Sequence, residues 1–261
     1  MIYNYHTHTH RCRHAEGIEE DYIKKAIEGG IKYMGFSDHI PLKLEDGTES
    51  EYRVPVSEGK AYCDTIKTLR EKYKDKIDIK VGFECEYYPE FFDKMLQNAI
   101  EYGAEYLILG HHFLKPENQV SGSNLEPTDD VNNLKTYVAS VIEAMDRNVF
   151  TYIAHPDFFH FSGDVMVFQE EMRKLCIESR KRNVPLELNF LGIRTGRIYP
   201  NPAFWQVVGE EQAPVVFGFD AHTADHAFDS VSLIKAREMV KKYNLNYIGA
   251  PKLIPIQQHA K

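Results

Sequence analysis

Seven short apolar runs alternate with longer amphipathic stretches along this 261-residue chain. The runs cover residues 2–5, 33–37, 77–83, 106–109, 150–154, 185–188 and 214–218. Each has the length of a strand, and the stretches between them carry apolar residues at helical spacing. Helices are expected over 18–28, 57–73, 90–101, 166–182, 202–208 and 230–243, with another running from a cap at Thr128 or Asp129 to Arg147. Residues 189–200 read as an irregular loop, and 247–249 offer a final short strand. Strands and helices in this alternation form a parallel sheet with helices outside. Seven such units favour a closed, distorted TIM-like (β/α)7 barrel of the α/β class, and a barrel of about 250 residues commonly makes one domain.

Charge and cysteine usage narrow the function. Lys and Arg number 31 against 39 Asp and Glu, a net charge of −8. That balance argues against a long nucleic-acid partner, which needs clustered cations. No stretch approaches the roughly 18 apolar residues of a membrane span, so a cytoplasmic location is expected. The four cysteines, Cys12, Cys63, Cys85 and Cys176, form no C-x-x-C pair. A zinc ribbon or thioredoxin motif is therefore unsupported. A chain this long buries its own core, so any metal it holds is expected to serve chemistry rather than folding.

The twelve histidines carry the strongest signal. His6 and His8 close the first run at i and i+2, a spacing that points both side chains to one face of a strand. Asp38-His39 follows the second run, Glu84 the third, His112 the fourth, His155 the fifth and Asp220-Ala221-His222 the seventh. In a parallel barrel, residues just past the strand ends converge on one face, where active sites lie. Imidazole and carboxylate without thiolate suit zinc, iron or manganese. The ligands outnumber the three that one catalytic zinc typically takes, so two to three divalent transition-metal ions are expected. A carboxylate such as Glu84 can bridge two of them.

The ordered set His6-Thr7-His8, His14, Ser37-Asp38-His39, G-F-E-C-E at 82–86, His155-Pro156 and F-D-A-H at 219–222 resembles the PHP (polymerase and histidinol phosphatase) family. The segment E-L-N-F-L-G-I-R at 187–194, followed by Tyr199-Pro200, is similar to its stand-alone histidinol-phosphatase branch. The resemblance implies one PHP-type metallohydrolase domain over 1–261, with a trinuclear site at the C-terminal ends of the strands. Carried over residue by residue, His6, His8, Glu84 and Asp220 would hold the first metal. Glu84, His112 and His155 would hold the second, and His14, His39 and His222 the third. His111 rivals His112, which matches better through the His112-Phe113 pair. The catalytic role falls on Glu84, Asp220 and His222.

The implied reaction is hydrolysis of a small phosphate monoester, L-histidinol phosphate in histidine biosynthesis, by a metal-bridging hydroxide. Arg194 and Arg197, in the loop after the sixth run, are the expected phosphate contacts, since Arg presents a two-pronged donor set. Arg194 matches the N-x-x-G-x-R segment better than Arg197. The alternatives are another small ester or nucleotide as substrate, a metal-dependent amidohydrolase, or a non-catalytic module. An amidohydrolase would commonly want a bridging lysine where Glu84 stands, and a non-catalytic module would have lost ligands. His10, His160, His226 and His259 have no assigned role, Tyr87, Tyr88, Phe91 and Phe92 read as packing, and oligomeric state is not legible.

Overall fold

The computed structural model describes residues 3–120 and 122–260; Ile2, at the head of the first expected strand, lies outside them. Eight parallel strands follow one another in a single sheet, each hydrogen-bonded to its neighbour in sequence. They are β1 Tyr3–Asn4, β2 Tyr33–Phe36, β3 Asp78–Cys85, β4 Tyr106–Leu109, β5 Phe150–Ile153, β6 Leu186–Asn189, β7 Pro214–Gly218 and β8 Asn246–Tyr247. The sheet curls until the chain beyond β1 meets the chain beyond β7. Thr7 and Ala221 form a parallel bridge there. Around it, His8 N donates to Ala221 O at 2.9 Å and Ala221 N donates to His6 O at 3.3 Å. Strand β8 pairs with the start of β7, on the edge opposite β6. The expected seven-unit ring is thus the TIM-like α/β architecture observed, with β8 added at the seam where β1 and β7 approach.

The helices are α1 Glu19–Glu28, α2 Gly59–Tyr73, α3 Pro89–Tyr102, α4 Val131–Asp146, α5 Val165–Arg182, α6 Phe190–Thr195, α7 Pro202–Glu211 and α8 Ser230–Lys242. Two local expectations are corrected. The cap of α4 is Asp130, whose carboxylate accepts from Asn132 N, not Thr128 or Asp129. The segment expected as an irregular loop opens with α6, because Asn189 accepts from Gly192 N and so caps a turn that Gly196 ends at φ 63°. Six residues give too little periodicity to announce a helix.

Burial divides the core in two. One large apolar cluster lies between sheet and helices and takes in Tyr87, Tyr88 and Phe92. A smaller one holds Tyr3, Tyr5, Tyr106, Ile108, Tyr152, Ala154 and Val216. Its members alternate along their strands, the two-residue period of one sheet face. Trp205 is fully buried, its indole N–H donating to Asp157.

Candidate metal centre

Every strand-end residue singled out above faces one cavity or lies beneath it. His6 and His8 flank the Thr7–Ala221 bridge. His39 and Glu84 are themselves bridged, which extends the pairing of β2 with β3 to the rim. His155 and Asp220 leave their strands with φ of 27° and 46°. Non-glycine residues rarely adopt these values, and such strain concentrates at functional sites. His14 arrives differently, after a short 3-10 turn at His10–Cys12 capped by Thr9. Glu16 N donates to His222 O at 2.9 Å, joining that loop to the one after β7 and bringing the His14 and His222 rings to 4.9 Å.

Glu84 sits in the middle. Its Oε1 lies 2.8 Å from His155 Nε2 and 3.4 Å from His112 Nε2. Its Oε2 lies 3.2 Å from His8 Nε2, 3.4 Å from His6 Nε2 and 3.5 Å from His39 Nδ1. Each oxygen thus faces a different set of imidazoles, the geometry a bridging carboxylate needs. Asp220 Oδ1 lies 3.2 Å from His222 Nδ1 and 3.4 Å from His8 Nε2. Gly110 and Gly218 make room beneath: a Cβ at either would overlap the carboxylate of Glu84 or Glu187 respectively.

This donor set fits cations. The Nε2 atoms of His6 and His8 face each other at 3.1 Å, and Asp220 Oδ1 is buried without a hydrogen-bond partner. Converging lone pairs of this kind need shared positive charge. Triads with ligand atoms within 4.8 Å of one another include His6–His8–Glu84, His6–His155–Asp220, His8–Asp220–His222 and His39–Glu84–His112. They cut across the three expected groups, since His39 falls with Glu84 and His112. A fifth triad joins His14 to His8 and to the buried thiol of Cys12.

Electrostatics agree. Burial opposes ionisation of Glu84, yet His39, His112 and His6 hold it well below the usual carboxylate range. Asp220 is depressed likewise against its burial, by His6 and His222. Burial also opposes a proton on His6, but Glu187, Asp220 and Glu84 outweigh it and lift His6 to about 10. Burial, with His8 and His222 nearby, lowers His14 to about 4.

A supporting layer orients the imidazoles. His112 Nδ1 lies 2.6 Å from Glu86 Oε1, and Glu86 Oε2 accepts from His112 N. His6 Nδ1 lies 2.7 Å from Glu187 Oε1. Asp38 accepts from Thr9 N and Oγ1 and stands 3.9 Å from His8 Nδ1. Carboxylates behind ligand histidines fix tautomer and ring direction. Glu187 went unassigned in the sequence; its signal was an acid inside the apolar strand β6. His111 turns away from the cluster and packs on Tyr137 at 5.3 Å.

The cavity over the cluster, about 460 Å³, is lined by His8, His14, His39, Glu84, His112, His155, Asp220 and His222, and by Tyr52, Phe113, Ser123, Phe158, Leu191, Arg197 and Tyr199. Arg194, expected to contact phosphate, does not line this cavity. Its guanidinium donates to Phe219 O at 2.9 Å and Asp220 O at 2.8 Å and pairs with Asp229 at 3.3 Å. Those partners engage both of its terminal nitrogens, while its Nε is buried without a partner. Arg197, beyond the left-handed Gly196, lines the cavity.

The family model for the PHP domain matches residues 4–190. A probable histidinol-phosphatase of Deinococcus radiodurans is 24% identical over 83% of this chain and 85% of its own length. The histidinol-phosphatase of Bacillus subtilis is 24% identical over 84% of this chain and 92% of its own. The crystal structure of histidinol phosphate phosphatase from Lactococcus lactis, complexed with zinc, L-histidinol and phosphate, superposes with a TM-score of 0.70. It is 18% identical and covers 98% of this chain and 97% of that one. No described helix is long and apolar enough to cross a membrane. With its curled parallel sheet, its strand-end ligands and a family match over most of its length, the chain belongs to the PHP domain family.

Proposed function

We propose that this protein is a metal-dependent phosphomonoesterase that hydrolyses L-histidinol phosphate to L-histidinol and phosphate, a cytoplasmic step of histidine biosynthesis. The observation that carries the reading is the position of Glu84, with one oxygen toward His112 and His155 and the other toward His6, His8 and His39, beneath a cavity that also presents Arg197. The relatives named histidinol-phosphatase support the substrate, as does the neighbour holding L-histidinol and phosphate.

In this reading His6, His8, His14, His39, Glu84, His112, His155, Asp220 and His222 hold two to three divalent ions, zinc, iron or manganese. Bound there, the ions supply Lewis-acid charge for the phosphoryl oxygens and an activated water as nucleophile. Arg197 orients the phosphate with two parallel donors, which holds phosphorus in line for attack. Glu84 and Asp220 keep the ligand set anionic. Arg194 anchors the turn that aims Asp220 and His222. Residues 1–261 act as one domain, because β7, with Asp220 and His222 after it, completes the same sheet and cluster beyond residue 190.

The test is kcat/KM for L-histidinol phosphate beside nucleoside monophosphates and p-nitrophenyl phosphate, with metal content measured on the same preparation. A preference for L-histidinol phosphate over the nucleotides of at least about tenfold is expected, the scale of one good pocket contact. Equal or better turnover of the nucleotides would overturn the substrate assignment.

A further inference from the structure

Two loops from distant parts of the chain meet at the cavity mouth. Tyr52 and Arg53 lie between β2 and α2, and Glu117 opens a short 3-10 turn, Glu117–Gln119, between β4 and α4. Tyr52 Oη donates to Glu117 Oε1 at 2.5 Å and accepts from Arg53 Nη2 at 2.9 Å. Arg53 Nε donates to the same Glu117 oxygen at 2.7 Å. The guanidinium is 1% exposed and stacks 5.0 Å from the Tyr52 ring centroid. Its Nη1 reaches Ile40 O at 3.3 Å, and Nη2 stands 3.8 Å from Glu86, the carboxylate behind His112.

A buried ion pair of this kind roughly breaks even in stability against apolar packing, because desolvation offsets the attraction. What it does fix is direction. With its hydroxyl held at both Glu117 and Arg53, Tyr52 offers its ring, not its oxygen, to the cavity. That ring stands edge-on to His39 at 5.1 Å and lies 5.6 Å from Phe113 at 33°. The cavity's carboxylates among the described residues are Glu84 and Asp220, both turned to the metal centre. A leaving group that enters over this wall therefore meets aromatic rings rather than a free acid. Aromatic faces attract planar rings and ammonium groups.

We infer that Tyr52 and Phe113 form the subsite for the organic part of the substrate, and that the Arg53–Glu117 pair is a clasp that pre-sets it. The subsite selects phosphate esters whose alcohol carries a planar or cationic group over small aliphatic ones. It rests on the phosphomonoesterase reading of the same cavity, and it names side chains and a selectivity that reading does not require.

The experiment measures kcat and KM of the metal-loaded protein and its variants on L-histidinol phosphate, p-nitrophenyl phosphate and glycerol 2-phosphate. Tyr52→Leu should raise KM for the two ring-bearing esters about tenfold or more, the effect of losing one stacking partner. Glycerol 2-phosphate should suffer less than about threefold on the same scale. Metal content should stay at the wild-type level. Tyr52→Phe keeps the ring but frees it from the clasp. It should give a smaller KM rise, and Glu117→Gln should add nothing further in that background. Direct binding of L-histidinol, followed by calorimetry, should weaken in the same order. Equal losses on all three esters would overturn the inference, as would a Tyr52→Phe effect confined to kcat, which would make the hydroxyl a proton donor. If wild-type protein prefers p-nitrophenyl phosphate to L-histidinol phosphate, the substrate assignment fails. The subsite then stands or falls on whether Tyr52→Leu lowers selectivity for p-nitrophenyl phosphate over glycerol 2-phosphate.

Discussion

His6 Nδ1 lies 2.7 Å from Glu187 Oε1, and neither side chain reaches solvent. The other oxygen of Glu187 accepts from His155 N at 3.0 Å and from Asn189 Nδ2 at 2.8 Å. Asn189 in turn donates to Asp220 Oδ2 at 3.0 Å. One carboxylate on β6 thus ties together ligands that follow β1, β5 and β7. With a metal bound, it would hold the proton on His6 Nδ1 and leave Nε2, which faces Glu84 and His8, as the ligand atom.

Replacement of Glu187 by Gln keeps the shape and removes the charge. Metal affinity should fall about 10- to 100-fold, the usual cost of disturbing a carboxylate behind a ligand histidine. The fold should survive, since the amide still fits the space beside Gly218. Competition with a chelator of known affinity measures the change. Wild-type affinity in this variant would mean that His6 does not depend on Glu187 for its direction.

Glu84→Gln removes the charge that faces five imidazoles at once. Metal occupancy should drop and kcat should fall at least about a hundredfold, comparable to losing a principal electrostatic contact. His111→Ala should keep its metals, because that ring packs on Tyr137 and stays out of the ligand triads. Metal analysis of the two variants side by side separates them. Full occupancy with normal turnover in Glu84→Gln would remove it from the bridging position.

These residues were unevenly legible in the sequence. His6, His8, His39, Glu84, His155 and Asp220 announced themselves because each ends a run that had to be a strand, and parallel strands present their ends on one face. Glu187 did not, because its meaning depends on His6, 181 residues away in the chain. Tyr52 and Phe113 were hidden for the same reason, since nothing local says that their two loops meet. The aromatic cluster that did stand out, with Tyr87, Tyr88 and Phe92, belongs to the core. Arg194 and Arg197 were legible as a pair but not in their aims. The loop that carries them opens with a six-residue helix, and the left-handed Gly196 between them sends one inward to backbone carbonyls and the other to the cavity.

Arg194 and Arg197 should therefore fail in different ways. Arg197→Lys should raise KM for the phosphate ester about tenfold while leaving metal content intact, because a lysine cannot reproduce two parallel donors. Arg194→Lys cannot span Phe219 O and Asp220 O together, so the turn at Asp220 should loosen. Its expected signature is weaker metal binding with lower kcat at restored metal saturation, and little change in KM. Steady-state kinetics over a range of metal concentrations distinguish the two. A KM effect in Arg194→Lys with none in Arg197→Lys would reverse the assignment.

Proton and metal compete for the same cluster, which gives a pH signature. In the metal-free protein His6 is raised to about 10, against an unfolded value near 6.5. A raised histidine stabilises the fold fully below its unfolded value and loses that contribution as pH rises through the folded one. His14, lowered to about 4, and His112, lowered to about 3, are neutral above pH 7 in both states and add nothing there. Glu84 and Asp220, both depressed, lose their contributions only toward acid. Between pH 7 and 9 the metal-free protein should thus lose roughly 2 to 3 kcal/mol from His6 alone, nearly one proton over two pH units. Cys63, pushed up to about 12 by burial, also costs stability as the unfolded thiol ionises, but it does so whether or not metal is bound. The gap in melting temperature between metal-loaded and chelator-treated protein isolates the imidazoles from that background. It should widen steadily from pH 7 to 9, and metal binding at pH 8 should release protons, read from the dependence of the calorimetric heat on buffer. A gap that stays constant or narrows, with no proton release, would mean that His6 is already neutral in the metal-free cluster.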